Sequence, residues 1–131
     1  MATKHPYHYR SKAGSTQRAR ERFHNVPSVG KLLSVKGYRF VSNAEGVRTD
    51  RERVQVRGEL GTATYDGLCW GYGGEGPRGL VDLLELQCRI PRRKAEMVAF
   101  AACRGDKSGT DWEVDLRKME FRGRLQMDRL A

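Results

Sequence analysis

The chain has 131 residues, enough to bury a core without disulfides or a structural metal, and its 38% hydrophobic and 8% aromatic content is lean but above the disordered range. Its formal charge of +9 is unevenly placed: residues 1–57 hold thirteen Lys or Arg against Glu21, Glu45, Asp50 and Glu52, while residues 58–131 hold twelve of each sign, an asymmetry that points to a polyanionic partner. No apolar run approaches the roughly 18 residues that a membrane span requires, and no apolar stretch follows the basic start, so neither a membrane partner nor a secretory signal is expected.

Residues 1–14 carry no apolar period and read as a basic arm, in which Tyr7 and Tyr9 alternate with Lys4, Arg10 and Lys12. Its rings can stack on bases while its cations meet phosphates, or Tyr7 and Tyr9 can anchor the arm to the domain. The arm is expected to pack poorly until a partner orders it. Ser15 is an N-cap candidate for a short helix, STQRARERF, that presents Arg18 and Arg22 on one face and Arg20 with Phe23 on another. Asn25 and Pro27 end it. Residues 1–27 are therefore set apart as arm and helix, and 28–131 as one compact domain.

Residues 28–33 are expected to add one more turn. A strand over 38–42 follows Gly37, and 43–46 form a turn. The clearest alternation runs over 51–57, where Glu52, Val54 and Val56 interleave with Arg51, Arg53, Gln55 and Arg57. Strand geometry, with a rise of ~3.3 Å per residue, puts Arg51 and Arg53 about 6.6 Å apart, near the spacing of successive phosphates. An exposed basic strand edge that discourages aggregation is the plainer reading of the same pattern. Residues 62–72 follow as a strand with Leu68, Trp70 and Tyr72 on one face, and a helix over 77–88 begins with Pro77 at its first position. The segment after Pro91 fits either a helix stopped by Gly105 or a strand, and 111–116 alternates as a late strand.

Few motifs carry chemistry. Cys69, Cys88 and Cys103 are odd in number and form no CxxC, which fits reduced thiols in a cytoplasmic protein. His5 and His8 have an HxxH spacing with nothing nearby to complete a metal set. Gly71, Gly73 and Gly76 satisfy GxGxxG, but no βαβ unit surrounds them, and Glu96 does not end a strand as a ribose-binding acid would. Asp111, Glu113 and Asp115 share one strand face, whereas two-metal nucleases draw carboxylates from separate elements. The RGD at 104–106 has a high chance rate. No catalytic constellation, cofactor or metal is expected.

The stretch Trp70-Gly71-Tyr72-Gly73-Gly74-Glu75-Gly76-Pro77, followed by Leu80 and Leu83-Leu84, resembles the WGYGGxGPxxL signature of DUF6166, a family of small proteins from prokaryotes and their mobile elements. The resemblance covers residues 52–88. It implies a compact α+β domain and no particular activity. Glu75, where a small polar residue is common, and the basic N-terminal extension depart from the pattern. Close packing at a strand-to-helix junction explains the glycines more simply than a ligand-binding loop.

The sequence therefore predicts an α+β fold: a small antiparallel sheet with one or two packed helices, a basic N-terminal arm, and Leu60, Leu68, Trp70, Leu80, Leu84, Val98 and Trp112 in the core. The expected function is non-enzymatic nucleic-acid binding through Tyr7, Tyr9, Arg10, Lys12, Arg18, Arg20, Arg22, Arg51, Arg53 and Arg57. The alternative is a phage- or plasmid-encoded inhibitor that docks on a host protein or ribonucleoprotein complex, such as a CRISPR effector.

Overall fold

Alternation with period two is the strongest local pattern in the chain, and the fold is organised by it. The structure is a computed structural model that describes residues 7–11, 15–42, 44–47, 49–70, 75–101 and 111–123. Six strands, β1 (Tyr7–Ser11), β2 (Leu32–Ser42), β3 (Thr49–Gly58), β4 (Gly61–Asp66), β5 (Trp112–Asp115) and β6 (Glu120–Gly123), form one sheet in the order β1-β4-β3-β2-β5-β6. Every pairing is antiparallel except β1 with β4. The helices are α1 (Thr16–Glu21), α2 (Glu75–Asp82) and α3 (Arg92–Ala101), with a 3-10 segment at Phe23–Val29 and a π-helical turn at Leu83–Gln87. This is the α+β class that the sequence predicts.

Cross-strand partners share a face, so the register can be read as rows across the sheet. One row runs Tyr9, Ala63, Val56, Val35, Val114, Phe121 through all six strands. Its four central members are fully buried. Ala19, Phe23, Val26 and Val29 from the first helical segment, Leu80, Leu83 and Leu84 from the second, and Ala95, Val98 and Ala99 from α3 close over this face in a single core. Each fully buried Val or Leu side chain contributes about 1.5–3 kcal/mol, so tertiary burial rather than propensity holds these short helices. Ser15 caps α1 as expected, its Oγ accepting from the Arg18 amide at 3.2 Å.

Several elements differ from the expectation. From Tyr7 to Ser11 the supposedly loose arm is a strand, because Tyr7, Tyr9 and Ser11 supply an inward face once β4 offers an edge. Strand β2 starts at Leu32, overriding the expected extra turn, with a bulge between Leu32 and Ser34. Strand β4 stops at Asp66 because Gly67 takes φ +91°, so Leu68 and Trp70 enter the core from irregular chain. Leu60, expected in the core, is 54% exposed. It occupies the two-residue β3–β4 turn, whose backbone is fastened by its amide to the Val29 carbonyl (2.7 Å) and by its carbonyl to the Tyr7 amide (2.7 Å). Helix α2 begins at Glu75, so Pro77 is its third residue, still within the turn whose amides lack helical acceptors. The segment after Pro91 is helical, and β6 was not anticipated.

The remaining members of the predicted core, Leu68, Trp70, Leu80, Leu84, Val98 and Trp112, are buried. Trp70 and Trp112 meet edge to face, with centroids 5.8 Å apart. Gly37, the cross-strand partner of Trp112, lies beneath the indole, where an added Cβ would collide with Nε1 and stand 2.7 Å from Cζ2. Gly37→Ala should therefore overpack the core and cost about 1–3 kcal/mol, read as a lower urea midpoint with an unchanged slope.

Candidate nucleic-acid interface

Because the inward row is apolar, the intervening residues of each strand face away from the helices. Among the described residues no helix covers this second face. Its first row is His8, Thr62, Arg57, Ser34, Asp115, Glu120. The next is Arg10, Thr64, Gln55, Lys36, Glu113, and a short third row is Asp66, Arg53, Tyr38. These side chains are polar almost throughout. Several are tied to one another: His8 Nδ1 lies 3.0 Å from Thr62 Oγ1, and Gln55 Nε2 donates to Thr64 Oγ1 at 3.2 Å.

Charge changes sign across this face. Arg10, Lys36 and Arg57 are exposed, and among the described residues no carboxylate lies within ion-pair distance of them. The Lys36 ammonium sits 5.5 Å from the Tyr38 ring centroid. Burial, helped by the nearby Asp66 carboxylate, pushes the Tyr38 phenol up and keeps it neutral. On β5 and β6, Asp115 stands opposite Glu120, while Glu113 lies between Lys36 of β2 and Arg122 of β6 in the register. Modest desolvation would raise the Asp115 carboxyl, but the amides of Lys118 and Arg117 and the two side-chain charges outweigh it and hold the group below its ordinary 3.8. Asp115 Oδ1 accepts from the Arg117 amide at 2.9 Å and the Lys118 amide at 3.2 Å. Asp115 is thus turned to its own hairpin, and among the described residues no three His, Cys, Asp or Glu gather as metal ligands.

The residues expected to bind phosphate are divided between the two sides of the sheet. Arg10 and Arg57 are on the open face. Arg53 is there too, but its Nε is 2.9 Å from Asp66 Oδ1 in a largely shielded pair. Arg51 lies in β3 opposite Phe40, and its side chain is outside the described residues, as is Lys12. Arg18, Arg20 and Arg22 belong to the helical layer. Arg20 Nε stands 3.0 Å from Asp82 Oδ2, off-line for a hydrogen bond but close enough to tie α1 to α2. Arg22 Nη1 donates to the Arg18 carbonyl at 3.1 Å, which spends one guanidinium on closing its own helix. Tyr7 and Tyr9 take the anchoring role: the Tyr7 hydroxyl donates to Asn25 Oδ1 at 3.1 Å, and Tyr9 packs on Tyr65 with centroids 5.9 Å apart.

Lys36 was missed by sequence reasoning. Its signal was the alternation of Ser34, Lys36 and Tyr38 with Val35 and Gly37, hidden by taking Gly37 as the start of the strand. In the glycine motif, Gly71 and Gly73 lie outside the described residues, as do His5 and the RGD. Trp70, Gly76 and Pro77 are buried, and an added Cβ on Gly76 would collide with Cys69 Sγ. Those three serve packing at the entry to α2.

No protein-family model, curated protein or solved structure matches the chain. No helix among the described residues is long and apolar enough to cross a membrane.

The Asp115 environment carries a pH dependence whose sign is fixed. A carboxyl held below its unfolded value stabilises the fold above that value, and the contribution is lost as pH falls through the folded one. Wild type should exceed Asp115→Asn in urea midpoint at pH 7, and the gap should close as the pH drops below 3.8. A gap that persists in acid would assign the effect to hydrogen bonding rather than charge.

Proposed function

We propose that the protein binds single-stranded nucleic acid across the open face of its sheet, with Arg10, Lys36 and Arg57 meeting phosphates. The observation that carries this reading is the polar face itself, which has no helix over it among the described residues and bears these three exposed cations at one end.

The geometry favours a single strand over a duplex. Arg10 and Lys36 occupy one row with β4 and β3 between them, about 14 Å apart at ~4.8 Å per strand. A B-form major groove about 12 Å wide accepts a helix or a two-stranded ribbon, not a broad sheet. A flexible strand can instead follow the row, with bases set against Tyr38 and the ribbon of threonines and Gln55 supplying polar contacts. Asp115 and Glu120, paired beyond Ser34 in the first row, repel phosphate there and bias the footprint toward β1, β4, β3 and β2. Arg18 and Arg22, on the helical layer, are outside that footprint and add only long-range attraction.

The alternative, an inhibitor made by a phage or plasmid that docks on a host protein or ribonucleoprotein complex, would use the same basic surface. Purification at low salt with nuclease treatment separates the two, since a stoichiometric protein that survives digestion would select the inhibitor.

Affinity for labelled oligo(dT) and oligo(U), read by fluorescence anisotropy, should fall with salt at a log–log slope of about −2, from three phosphates at ~0.7 each on a single strand. Arg57→Gln or Lys36→Gln should reduce that slope by about 0.7, while Arg18→Gln leaves it nearly unchanged. Salt-independent binding, or an equal loss from Arg18→Gln, would remove the open face as the site.

A further inference from the structure

A cleft of about 600 Å3 opens at one end of the sheet, between the 3-10 segment, the start of β2, the end of the π-helical turn and the β5–β6 connection. It is separate from the row of cations described above. Val26, Leu32, Leu116 and Met119 give it apolar walls, while Lys31 and Arg89 are its two charged residues. None of its described lining residues is acidic. That size and mixture, an apolar body with a few polar groups, is what small-molecule sites show.

The backbone around the cleft supplies an independent argument. Arg89 adopts φ +57° and Met119 φ +53°, a left-handed conformation that is costly for an L-residue and that glycine adopts freely. Both positions lie next to an element boundary where such a turn is needed. Arg89 follows the π-helical turn, closed by the Cys88 amide on the Leu83 carbonyl (3.1 Å) and the Ile90 amide on the Leu84 carbonyl (2.9 Å), and Met119 closes the β5–β6 connection. Elsewhere the described chain puts glycine at φ +79°, +74°, +153° and +91°, at Gly30, Gly46, Gly61 and Gly67, and one other non-glycine residue, Glu45 in the turn between β2 and β3, at φ +57°. At these two sites it keeps a long side chain in a glycine conformation, and both side chains line the same cleft. The π-helical turn that delivers Gln87 to the same wall is a third departure from regular geometry. Such departures gather at ligand sites because the contact they make possible offsets their cost.

Cys88 also lines the cleft, but burial pushes its thiol up to about 12, so it is a neutral wall and not a nucleophile.

We propose that this cleft binds a small amphipathic carboxylate, with its hydrocarbon body against Leu32, Leu116 and Met119 and its carboxylate between Lys31 and Arg89. Two cations and no acid among its described lining residues favour an anionic ligand, and the apolar walls disfavour a fully hydrophilic one.

Calorimetric titration of the full chain with octanoate, 1-octanol and octylammonium tests the assignment. Octanoate should bind one to one and at least about tenfold tighter than octanol, a factor typical of one charge-assisted contact, with octylammonium weakest. Lys31→Gln/Arg89→Gln should abolish the preference for octanoate over octanol. Arg89→Gly relieves the left-handed backbone and should leave the melting temperature unchanged or raised while octanoate affinity falls, which separates binding from folding. Methyl NMR should place the octanoate-induced shifts at Met119. No octanoate binding at millimolar concentration, equal binding of octanol, or undiminished affinity in Arg89→Gly would each overturn the proposal. None of these readouts involves nucleic acid, so they stand or fall apart from the open sheet face.

Discussion

The apolar row Tyr9, Ala63, Val56, Val35, Val114, Phe121 is the constraint on which the other features rest. It crosses every strand and faces a helical layer too short to be stable alone. Because side chains alternate with period two, a one-residue slip of β2 or β3 would send Val35 or Val56 to solvent and bring Lys36 or Gln55 toward the core. The cost of burying such a group unpaired far exceeds any local preference, so the register is set globally. The composition of the outer face follows from the inner one. Arg10, Lys36 and Arg57 face outward because Tyr9, Val35 and Val56 face inward.

That coupling explains what could be read from the sequence. The alternation over 51–57 needed no tertiary information, since Val54 and Val56 stand among charged neighbours, and Ser15 announced α1 through side-chain chemistry confined to one turn. Strand β1 was opaque because its pattern of two tyrosines and a serine becomes an inward face only after β4, more than 50 residues away, offers a parallel edge. Leu60 was assigned to the core by composition, yet the two-residue turn between Gly58 and Gly61 leaves its side chain outside. Trp70 was placed correctly for the wrong reason: it was read as part of a strand, and it reaches the core through irregular chain after Gly67.

Net charge located the basic half of the chain but not the usable charge. Two of the predicted arginines are spent internally, Arg20 on Asp82 and Arg53 on Asp66, and a third, Arg22, caps its own helix. Both acids lie in the charge-neutral second half, so their effect appears only when that half folds against the first. Lys36 shows the converse. It contributes to no cluster in the sequence, yet it shares a row with Arg10 because three consecutive pairings place them so. A footprint on a sheet is a property of register, and register is invisible to a count of charges along the chain.

The open face and the cleft impose different demands on the fold. Side chains on the open face lie outside the core, and exchanging one polar group for another there leaves the inner row intact, so the composition of that face can vary with little loss of stability. The cleft is bound to the backbone: its cation Arg89 and its apolar wall Met119 both stand where a turn requires left-handed geometry. Marginal stability makes even one such conformation a measurable burden, and glycine would remove it. The fold instead retains a guanidinium and a thioether at those two turns, which joins the geometry that ends the π-helical turn and closes β5 onto β6 to the chemistry of the space between them.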